Sequence, residues 1–249
     1  MKISCNSHSF NKYFSDGSMD ALKWIDTCAD LGLDGVEPVC IQFPDVSQPF
    51  LKSFKKRAIE KGMVIPCVSV GTVFTESNPK WMDQAERFLT AAHYLGAPIL
   101  RVYAGEKGQS EDEANWDLMI KNLKDLTGQA EKKGIMVALE VHSGFTSSDY
   151  LRILNEVKSD WLKVMIDTGN FPADPYAGID ELLPVTIIMH TKFKSFDTDG
   201  NEATLDYLRI MELIKKHNYH GFLSIEYEGE GDPGTDVPKS IALLRKLTL

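Results

Sequence analysis

The chain has 249 residues, of which 43% are hydrophobic and 25% are charged, a composition typical of a globular protein with a sizeable core. Its 27 basic and 36 acidic residues give a formal net charge of −9, which argues against nucleic acid and anionic membranes as partners. The N-terminal segment turns polar too early for a signal peptide, and no apolar run approaches the roughly 18–20 residues of a membrane span. We therefore expect a soluble, cytoplasmic protein.

The cysteines fit this expectation. The chain has four of them, at positions 5, 28, 40 and 67, and none forms a CxxC pair. All four have apolar neighbours in the sequence, so we expect reduced thiols in the core of a cytosolic protein rather than disulfides or a metal-thiolate site.

Short apolar segments alternate with helical segments along the whole chain. Runs rich in Val and Ile are typical of strands that are buried on both faces of a parallel sheet. The predicted strands are Lys2–Asn6, Gly35–Val39, Val64–Val70, Ile99–Tyr103, Met136–Val141, Lys163–Asp167, Ile187–Lys192 and Phe222–Tyr227. The predicted helices are Met19–Leu31, Gln48–Lys61, Pro79–Leu95, Glu111–Lys133, Asp149–Glu156, Ile179–Pro184, Thr204–His217 and Val237–Leu247.

The connections between these elements predict how the strands are arranged. Glycines end four of the helices and lead into the next strand after one or two residues, as short αβ connections do; they are Gly32, Gly62, Gly96 and Gly134. Eight strand–helix units of about 31 residues each fit a TIM barrel. A doubly wound open sheet would show a Gly-rich fingerprint after the first strand, and Ser7–Ser18 has none. We therefore predict an α/β protein with a (β/α)8 barrel.

No linker divides the chain. Segments rich in Pro, Gly or Ser that would separate domains are absent from the sequence, and the polar stretch Ala104–Glu113 is predicted to be a loop after the fourth strand. We expect one domain over residues 1–249.

Acidic and imidazole side chains occur at the ends of four consecutive predicted strands. They are Glu140 and His142 on the fifth, Asp167 on the sixth, His190 on the seventh and Glu226 on the eighth. In a TIM barrel these ends form the functional face. A buried carboxylate is costly unless a cation pairs with it, so four converging groups indicate a divalent cation. A mixed oxygen and nitrogen ligand set suits Mn²⁺, Mg²⁺, Co²⁺ or Zn²⁺.

Ordinary salt bridges are the alternative explanation for these residues. Glu140 and Glu226 would then be paired with Arg101 and Lys192. Pairing of this kind explains any one acid, but four such groups on adjacent strands favour a metal site.

The motifs LEVH, IDTGN, HTK and IEYEG, in this order and spacing, resemble the xylose isomerase-like TIM barrels, the superfamily of sugar isomerases and epimerases that also contains endonuclease IV. The resemblance covers essentially the whole chain, including LGLDGVE near the second strand and LRVYAG at the fourth. It implies one divalent metal ion held by Glu140, Asp167, His190 and Glu226. By similarity to tagatose 3-epimerase, it also implies that Glu140 and Glu226 transfer a proton on opposite faces of a bound ketose.

The same resemblance implies contacts with the substrate. The residues at the matching positions are His8, Glu37, Arg101, His142, Asn170 and Lys192. The chain departs from the family pattern at Asn170, where a histidine is frequent, and at Phe193, where an aspartate often follows the lysine. Because an amide can hydrogen-bond a hydroxyl but cannot act as an acid or base, the departures leave the substrate contacts and the reaction open.

We therefore expect a metal-dependent isomerase or epimerase that acts on a ketose, a keto-sugar or a sugar phosphate through an enediolate. A metal-dependent sugar lyase or dehydratase would share that intermediate, and a non-catalytic sugar-binding barrel is a weaker alternative. An endonuclease IV-like enzyme is disfavoured, because the chain has six histidines and a net charge of −9.

Several properties of the substrate and the assembly stay open. The acids that follow Glu226 disfavour a phosphate at this end of the barrel, so an unphosphorylated sugar is preferred. Transfer of a proton and transfer of a hydride are both compatible with the sequence. The expected partner is a small sugar molecule, with no nucleic acid and no membrane, and similar proteins are often homodimers or homotetramers.

Overall fold

The computed structural model describes residues 1–248, which form eight parallel strands with helices between them. The strands are β1 (Ile3–Asn6), β2 (Gly35–Glu37), β3 (Val68–Ser69), β4 (Ile99–Val102), β5 (Met136–Glu140), β6 (Leu162–Asp167), β7 (Thr186–Phe193) and β8 (Phe222–Tyr227). The helices are α1 (Asn11–Ser15), α2 (Ala21–Asp30), α3 (Gln48–Glu60), α4 (Lys80–Leu95), α5 (Glu113–Glu131), α6 (Ser147–Val157), α7 (Pro175–Leu182), α8 (Tyr207–Lys216) and α9 (Pro233–Thr248).

The strands form a nearly closed barrel. Their order in the sheet is β2-β1-β8-β7-β6-β5-β4-β3, and every pairing is parallel. Isolated bridges from Gly35 to Val64 and from Val39 to Ser69 join the two ends of the sheet. The backbone N–H of Val36 donates to the carbonyl of Val64 at 2.9 Å across this seam. The predicted (β/α)8 barrel is confirmed.

Local sequence signals explain several helix ends. The Asp20 side chain caps α2 by accepting the backbone N–H groups of Leu22 and Lys23. Thr146 and Asp149 form a capping box at the start of α6. Gly96 ends α4 in the left-handed conformation, with φ of 80°, which glycine adopts without steric strain.

Some element bounds differ from those predicted. The third strand covers only Val68–Ser69 rather than Val64–Val70, because the segment before it crosses the seam by single bridges. Helix α1 was not predicted, since it is only five residues long and lacks a helical repeat. Helix α7 begins at Pro175, where Asp174 caps it, four residues before the predicted start.

The barrel interior is apolar one layer below the C-terminal strand ends. Cys67, Ala138, Met165 and Ile188 form a small buried cluster. Each lies two residues before a polar side chain at a strand end, and side chains two residues apart share one face of a strand. The polar side chains at the strand ends therefore lie directly above a buried apolar layer.

The described residues also bear on the expected absence of a membrane span and on the state of the four cysteines. No helix within residues 1–248 is long and apolar enough to cross a membrane. The four cysteines are free thiols: Cys5, Cys28 and Cys67 are buried and Cys40 is partly exposed.

We predict that Gly35→Ala destabilises the protein at the seam. A Cβ atom there would lie 2.8 Å from the carbonyl oxygen of Val64 and 3.2 Å from Pro66, so the backbone must shift. Overpacking of this kind lowers the free energy of unfolding by about 1–3 kcal/mol, measurable by urea denaturation.

Gly128→Ala in α5 is the matched control. A Cβ atom there has no neighbour within 4 Å among the described residues, and helical Gly→Ala adds about 0.5–1 kcal/mol of stability. If the two substitutions changed the free energy of unfolding equally, this description of the seam would be contradicted.

Candidate metal centre

Strand register brings four side chains together at the C-terminal end of the barrel. Asp167 on β6 lies opposite His190 on β7. Glu140 ends β5, and Glu226 lies on β8. One ligand atom from each of the four lies within 4.8 Å of the others, and the residues are between 0% and 5% exposed. The sequence predicted these four as metal ligands, and they form one buried group that could hold a metal ion.

The imidazole of His190 presents its two nitrogens to different surroundings. Nδ1 faces carboxylate oxygens of the cluster, at 3.6 Å from Glu140, 3.6 Å from Glu226 and 3.8 Å from Asp167. Nε2 lies 2.9 Å from Oε1 of Glu37. A histidine that donates one N–H to a carboxylate has its other nitrogen free for a metal, so Nδ1 is the expected ligand atom.

The unpaired atoms of the cluster fit a metal ion. Nδ1 of His190 is buried but makes no hydrogen bond to any residue from 1 to 248, and Oδ2 of Asp167 has an ion-pair contact with Lys192 but no hydrogen bond. Buried polar atoms nearly always have a hydrogen-bond partner, so the free Nδ1 of His190 fits a metal ligand. Carboxylate oxygens with one imidazole nitrogen suit Mg²⁺, Mn²⁺, Co²⁺ or Zn²⁺.

The charges of the buried residues also favour a bound metal ion. The buried carboxylates at this end of the barrel are Glu37, Glu140, Asp167 and Glu226. The buried cations beside them are Arg101 and Lys192. With His190 neutral, as it must be to bind a metal through Nδ1, two negative charges remain, which is the charge that one divalent cation neutralises. Without a metal, the raised pKa of His190 favours the protonated ring, and one negative charge remains.

Both salt bridges that the sequence offered as an alternative are present. Nε of Arg101 lies 2.8 Å from Oε2 of Glu140. Nζ of Lys192 contacts Oε2 of Glu226 and lies 3.1 Å from Oδ2 of Asp167, an ion pair without hydrogen-bond geometry. The pairs accompany the cluster rather than replace it, because they leave the negative excess in place.

The electrostatic field of the cluster shifts the pKa values of its members. Burial alone lowers the pKa of His190, but the carboxylates of Glu37, Glu226 and Glu140 raise it well above its usual value. Burial raises the pKa of Asp167 to about 6, although Lys192 opposes the shift. Burial also acts to raise the pKa of Glu226, yet His190 and Lys192 hold it well below the usual range. These opposed shifts are typical of a functional site.

Three polar side chains that the sequence analysis missed support the cluster from below and beside it. Nδ2 of Asn6 donates to Oε1 of Glu226 at 3.1 Å. The hydroxyl of Ser69 donates to Glu37, and Asn6 pairs with Glu37 in the β1–β2 register. On the rim, Glu228 lies 3.0 Å from Nζ of Lys192. The signal for Asn6 was its position at the end of the first strand.

Three residues predicted to contact substrate lie deeper than that role suggests, since Glu37, Arg101 and Lys192 are each at most 2% exposed. Glu37 is 0% exposed and faces His190, and Arg101 is 1% exposed and faces Glu140. Burial lowers the pKa of Arg101, but the carboxylates of Glu140 and Glu37 raise it above its usual value.

His142 is half-buried at the mouth of the barrel. Its ring stacks on Tyr103, with centroids 4.2 Å apart, and the guanidinium of Arg101 lies 4.5 Å from the Tyr103 ring. Nδ1 of His142 lies 2.7 Å from the hydroxyl of Ser143, which donates to Glu106 at 3.2 Å. These contacts fix the imidazole in one orientation.

His8 and Asn170 lie at the rim. Both are half-buried. Nε2 of His8 lies 3.9 Å from a carboxylate oxygen of Glu228. The backbone N–H of Asn170 donates to the carbonyl of Asp167 at 3.4 Å. Of the six predicted substrate contacts, Arg101 and Lys192 touch carboxylates of the cluster directly, and both are almost fully buried.

Comparison with known proteins identifies the family. Residues 25–247 match the family model described as xylose isomerase-like TIM barrel. The chain belongs to the xylose isomerase-like TIM barrel family. This assignment confirms the resemblance that the strand-end motifs carried.

Solved structures of similar fold include a sugar epimerase, a probable dehydratase and a family member in complex with magnesium. D-psicose 3-epimerase from Clostridium cellulolyticum H10, solved with D-tagatose, has a TM-score of 0.82 and 16% identity over 99% of both chains. The probable 3-DHS dehydratase of Bacillus anthracis has a TM-score of 0.78 and 18% identity over 99% of both. A family member from Mycobacterium smegmatis, in complex with magnesium, has a TM-score of 0.75 and 20% identity over 99% of this chain and 96% of its own. At such identities the likeness establishes the fold.

One curated protein matches a short part of the sequence. The C-glycoside deglycosidase alpha subunit from Arthrobacter globiformis is 36% identical over 73 residues, which are 26% of this chain. The match spans 21% of that protein, about a fifth of its length.

We predict that divalent metal stabilises this protein. At about 100 times the dissociation constant, Mn²⁺ or Mg²⁺ adds about 2.7 kcal/mol to the free energy of unfolding, which raises Tm by about 5–10 °C over the chelated protein. Asp167→Asn removes a ligand charge and should lose most of the shift. Thermal melting with and without chelator measures both.

Asp125→Asn is the control for Asp167→Asn. Asp125 is an exposed residue in α5 that pairs with Lys121, so its variant should keep the full metal-dependent shift. A wild-type Tm that responds neither to chelation nor to added metal would contradict the metal site.

Proposed function

We propose that this chain is a divalent-metal-dependent isomerase or epimerase of a ketose or keto-sugar, which works through an enediolate. The observation that carries the proposal is the buried group of Glu140, Asp167, His190 and Glu226 at the functional face of the barrel. The epimerase structure, which has the same fold over 99% of the chain, supports a carbohydrate substrate.

Two of the ligands are also suited to move a proton. Glu140 and Glu226 lie on β5 and β8, which are separated by β6 and β7 around the barrel. Their carboxylates therefore approach the site from different sides. One removes the proton α to the substrate carbonyl as a general base, and the other, carrying a proton, delivers it to the opposite face of the same carbon.

A bound divalent ion would stabilise the negative charge that develops on the substrate oxygens. The protein residues hold the two carboxylates in place. Arg101 pairs with Glu140, and Asn6 donates to Glu226, so each carboxylate has one fixed oxygen contact. Glu37 orients His190 in the same way.

Residues at the mouth would bind the sugar hydroxyls. We propose His142, Asn170 and His8 for this role, since all three are half-buried at the C-terminal end of the barrel. Lys192 on β7 is almost fully buried, and its Nζ lies 3.0 Å from Glu228 at the rim, so it would meet a hydroxyl only at the base of this space. Glu37 and Arg101 would instead act through His190 and Glu140, because their charged groups are buried against those residues.

A lyase or dehydratase is the second candidate, and the dehydratase with the same fold over 99% of the chain favours it. Both reactions begin with removal of the same proton. They differ in the product, because epimerisation conserves the mass of the substrate and dehydration removes one water.

The partner we propose is one small, unphosphorylated sugar. Glu228 and Glu230 at the mouth would repel a phosphate, although Lys192 partly offsets them. A homo-oligomeric state and a cytoplasmic location remain predictions from the sequence.

We predict that Glu226→Gln abolishes turnover without unfolding the protein. The amide cannot accept or donate the transferred proton, and loss of a general acid or base lowers the rate by about 10²–10⁴-fold. The measurement is exchange of substrate C–H with solvent deuterium, followed by NMR on metal-saturated protein with D-psicose, D-tagatose and D-fructose.

Glu212→Gln, an exposed change in α8, is the control and should retain full exchange. Metal content of Glu226→Gln is determined in parallel, so that a lost ligand is distinguished from a lost base. Epimer formation without solvent deuterium would contradict the proton route and indicate a hydride shift. If the protein binds a sugar but turns over none of those tested, it is a sugar-binding barrel without catalytic activity.

A further inference from the structure

Lys192 lies among three carboxylates and is only 2% exposed. Its Nζ contacts Oε2 of Glu226 and lies 3.1 Å from Oδ2 of Asp167. It also lies 3.0 Å from Oε2 of Glu228. Glu226 and Asp167 belong to the four-residue metal cluster, whereas Glu228 does not.

The protein is built to hold the Lys192 side chain in this position. A Cβ atom on Gly169 would lie 2.6 Å from Cγ and 2.8 Å from Cβ of Lys192, so only glycine leaves room for the aliphatic stem. The backbone of Lys192 is fixed on both sides, because its N–H donates to Thr168 and its carbonyl accepts from Tyr207.

The ammonium and the metal would use the same oxygens. Nδ1 of His190, the expected ligand nitrogen, faces Oε2 of Glu226 at 3.6 Å and Oδ2 of Asp167 at 3.8 Å. These are the two oxygens against which Nζ of Lys192 lies. Two cations on the same pair of oxygens repel each other strongly in a buried site.

We propose that Lys192 is a resident counter-cation of the metal site, which pairs with Asp167, Glu226 and Glu228 in the metal-free protein and keeps only its contact with Glu228 when a divalent ion binds. Its ammonium thus lowers the affinity of the site for metal while it keeps the metal-free barrel folded. This inference rests on the metal dependence proposed above and adds the means by which that dependence is regulated.

Glu228 is suited to receive the ammonium. Its side chain is 36% exposed, so it lies nearer to the mouth than Asp167 or Glu226. A shift toward Glu228 keeps Lys192 paired and frees the two ligand oxygens. It also brings the ammonium toward the space where a sugar hydroxyl would bind.

Removal of the ammonium has opposite effects on the two states. In the metal-free protein, Lys192→Met leaves buried carboxylates without a cation and lowers Tm. In the metal-bound protein, the ion neutralises the same carboxylates and the loss is small. Because binding and folding are linked, the variant must bind metal more tightly than the wild type.

The test compares five variants with the wild type by competition with a fluorescent chelator for Mn²⁺ and by thermal melting without metal. We expect Lys192→Met to bind Mn²⁺ about 10–100-fold more tightly, a usual size for changes beside a metal site. Glu228→Gln removes the second position of the ammonium and should weaken binding. In the double variant Glu228→Gln should have little further effect, because no ammonium remains to be moved.

Lys194→Met is the matched control. It removes one positive charge from an exposed position two residues further along and should change Mn²⁺ affinity by less than about twofold, since exposed charges are screened. Gly169→Ala is a second way to move the ammonium away from the cluster. It keeps the charge of Lys192 but displaces its aliphatic stem, so it should also tighten Mn²⁺ binding.

The outcomes separate this inference from the proposed function. A wild type that binds no Mn²⁺ or Mg²⁺ overturns both. A wild type that binds metal, with Lys192→Met binding it no more tightly, overturns the counter-cation alone. If the effects of Lys192→Met and Glu228→Gln on Mn²⁺ affinity are equal in size and add up in the double variant, they reflect ordinary long-range electrostatics. That result would also overturn the counter-cation.

Discussion

Four carboxylates share a space that solvent barely reaches, and their mutual repulsion at the C-terminal end of the barrel constrains the residues around them. Each carboxylate has a dedicated partner: Arg101 for Glu140, Lys192 for Asp167 and Glu226, and His190 for Glu37. The partners still leave two negative charges when His190 is neutral. Such an excess is costly in a low-dielectric interior, and a divalent ion at the centre is the simplest way to remove it.

The barrel makes this arrangement possible because strand geometry separates apolar and polar layers. Side chains two residues apart share one face, so the apolar floor of Ala138, Met165 and Ile188 lies one layer below Glu140, Asp167 and His190. The floor keeps water away from the ligands from below. At the mouth above the cluster, the rings of Tyr103 and His142 stack on each other. The apolar layer thus stabilises the barrel, and the polar layer above it forms the candidate metal site.

The sequence was sufficient for the strand count and for the four side chains that form the buried cluster, since both depend on local patterns: apolar runs of strand length and a polar residue where each run ends. It was insufficient for contacts that depend on closure of the barrel. Asn6 reaches Glu226 because β1 and β8 are neighbours, and Glu37 on β2 reaches His190 on β7 because closure of the barrel brings these strand ends together, each across more than 150 residues of sequence. The short β3 and the five-residue α1 were mispredicted because tertiary contacts, rather than their own sequence pattern, define them.

The central claim is that a divalent ion lies between these four side chains, with Nδ1 of His190 as its nitrogen ligand. X-ray diffraction from crystals soaked in Mn²⁺, with anomalous differences collected at the manganese absorption edge, tests it most directly. The account predicts one strong anomalous peak per chain, adjacent to Nδ1 of His190 and to carboxylate oxygens of Glu140, Asp167 and Glu226. An empty cluster, or a peak confined to the rim carboxylates of Glu228 and Glu230, would contradict it.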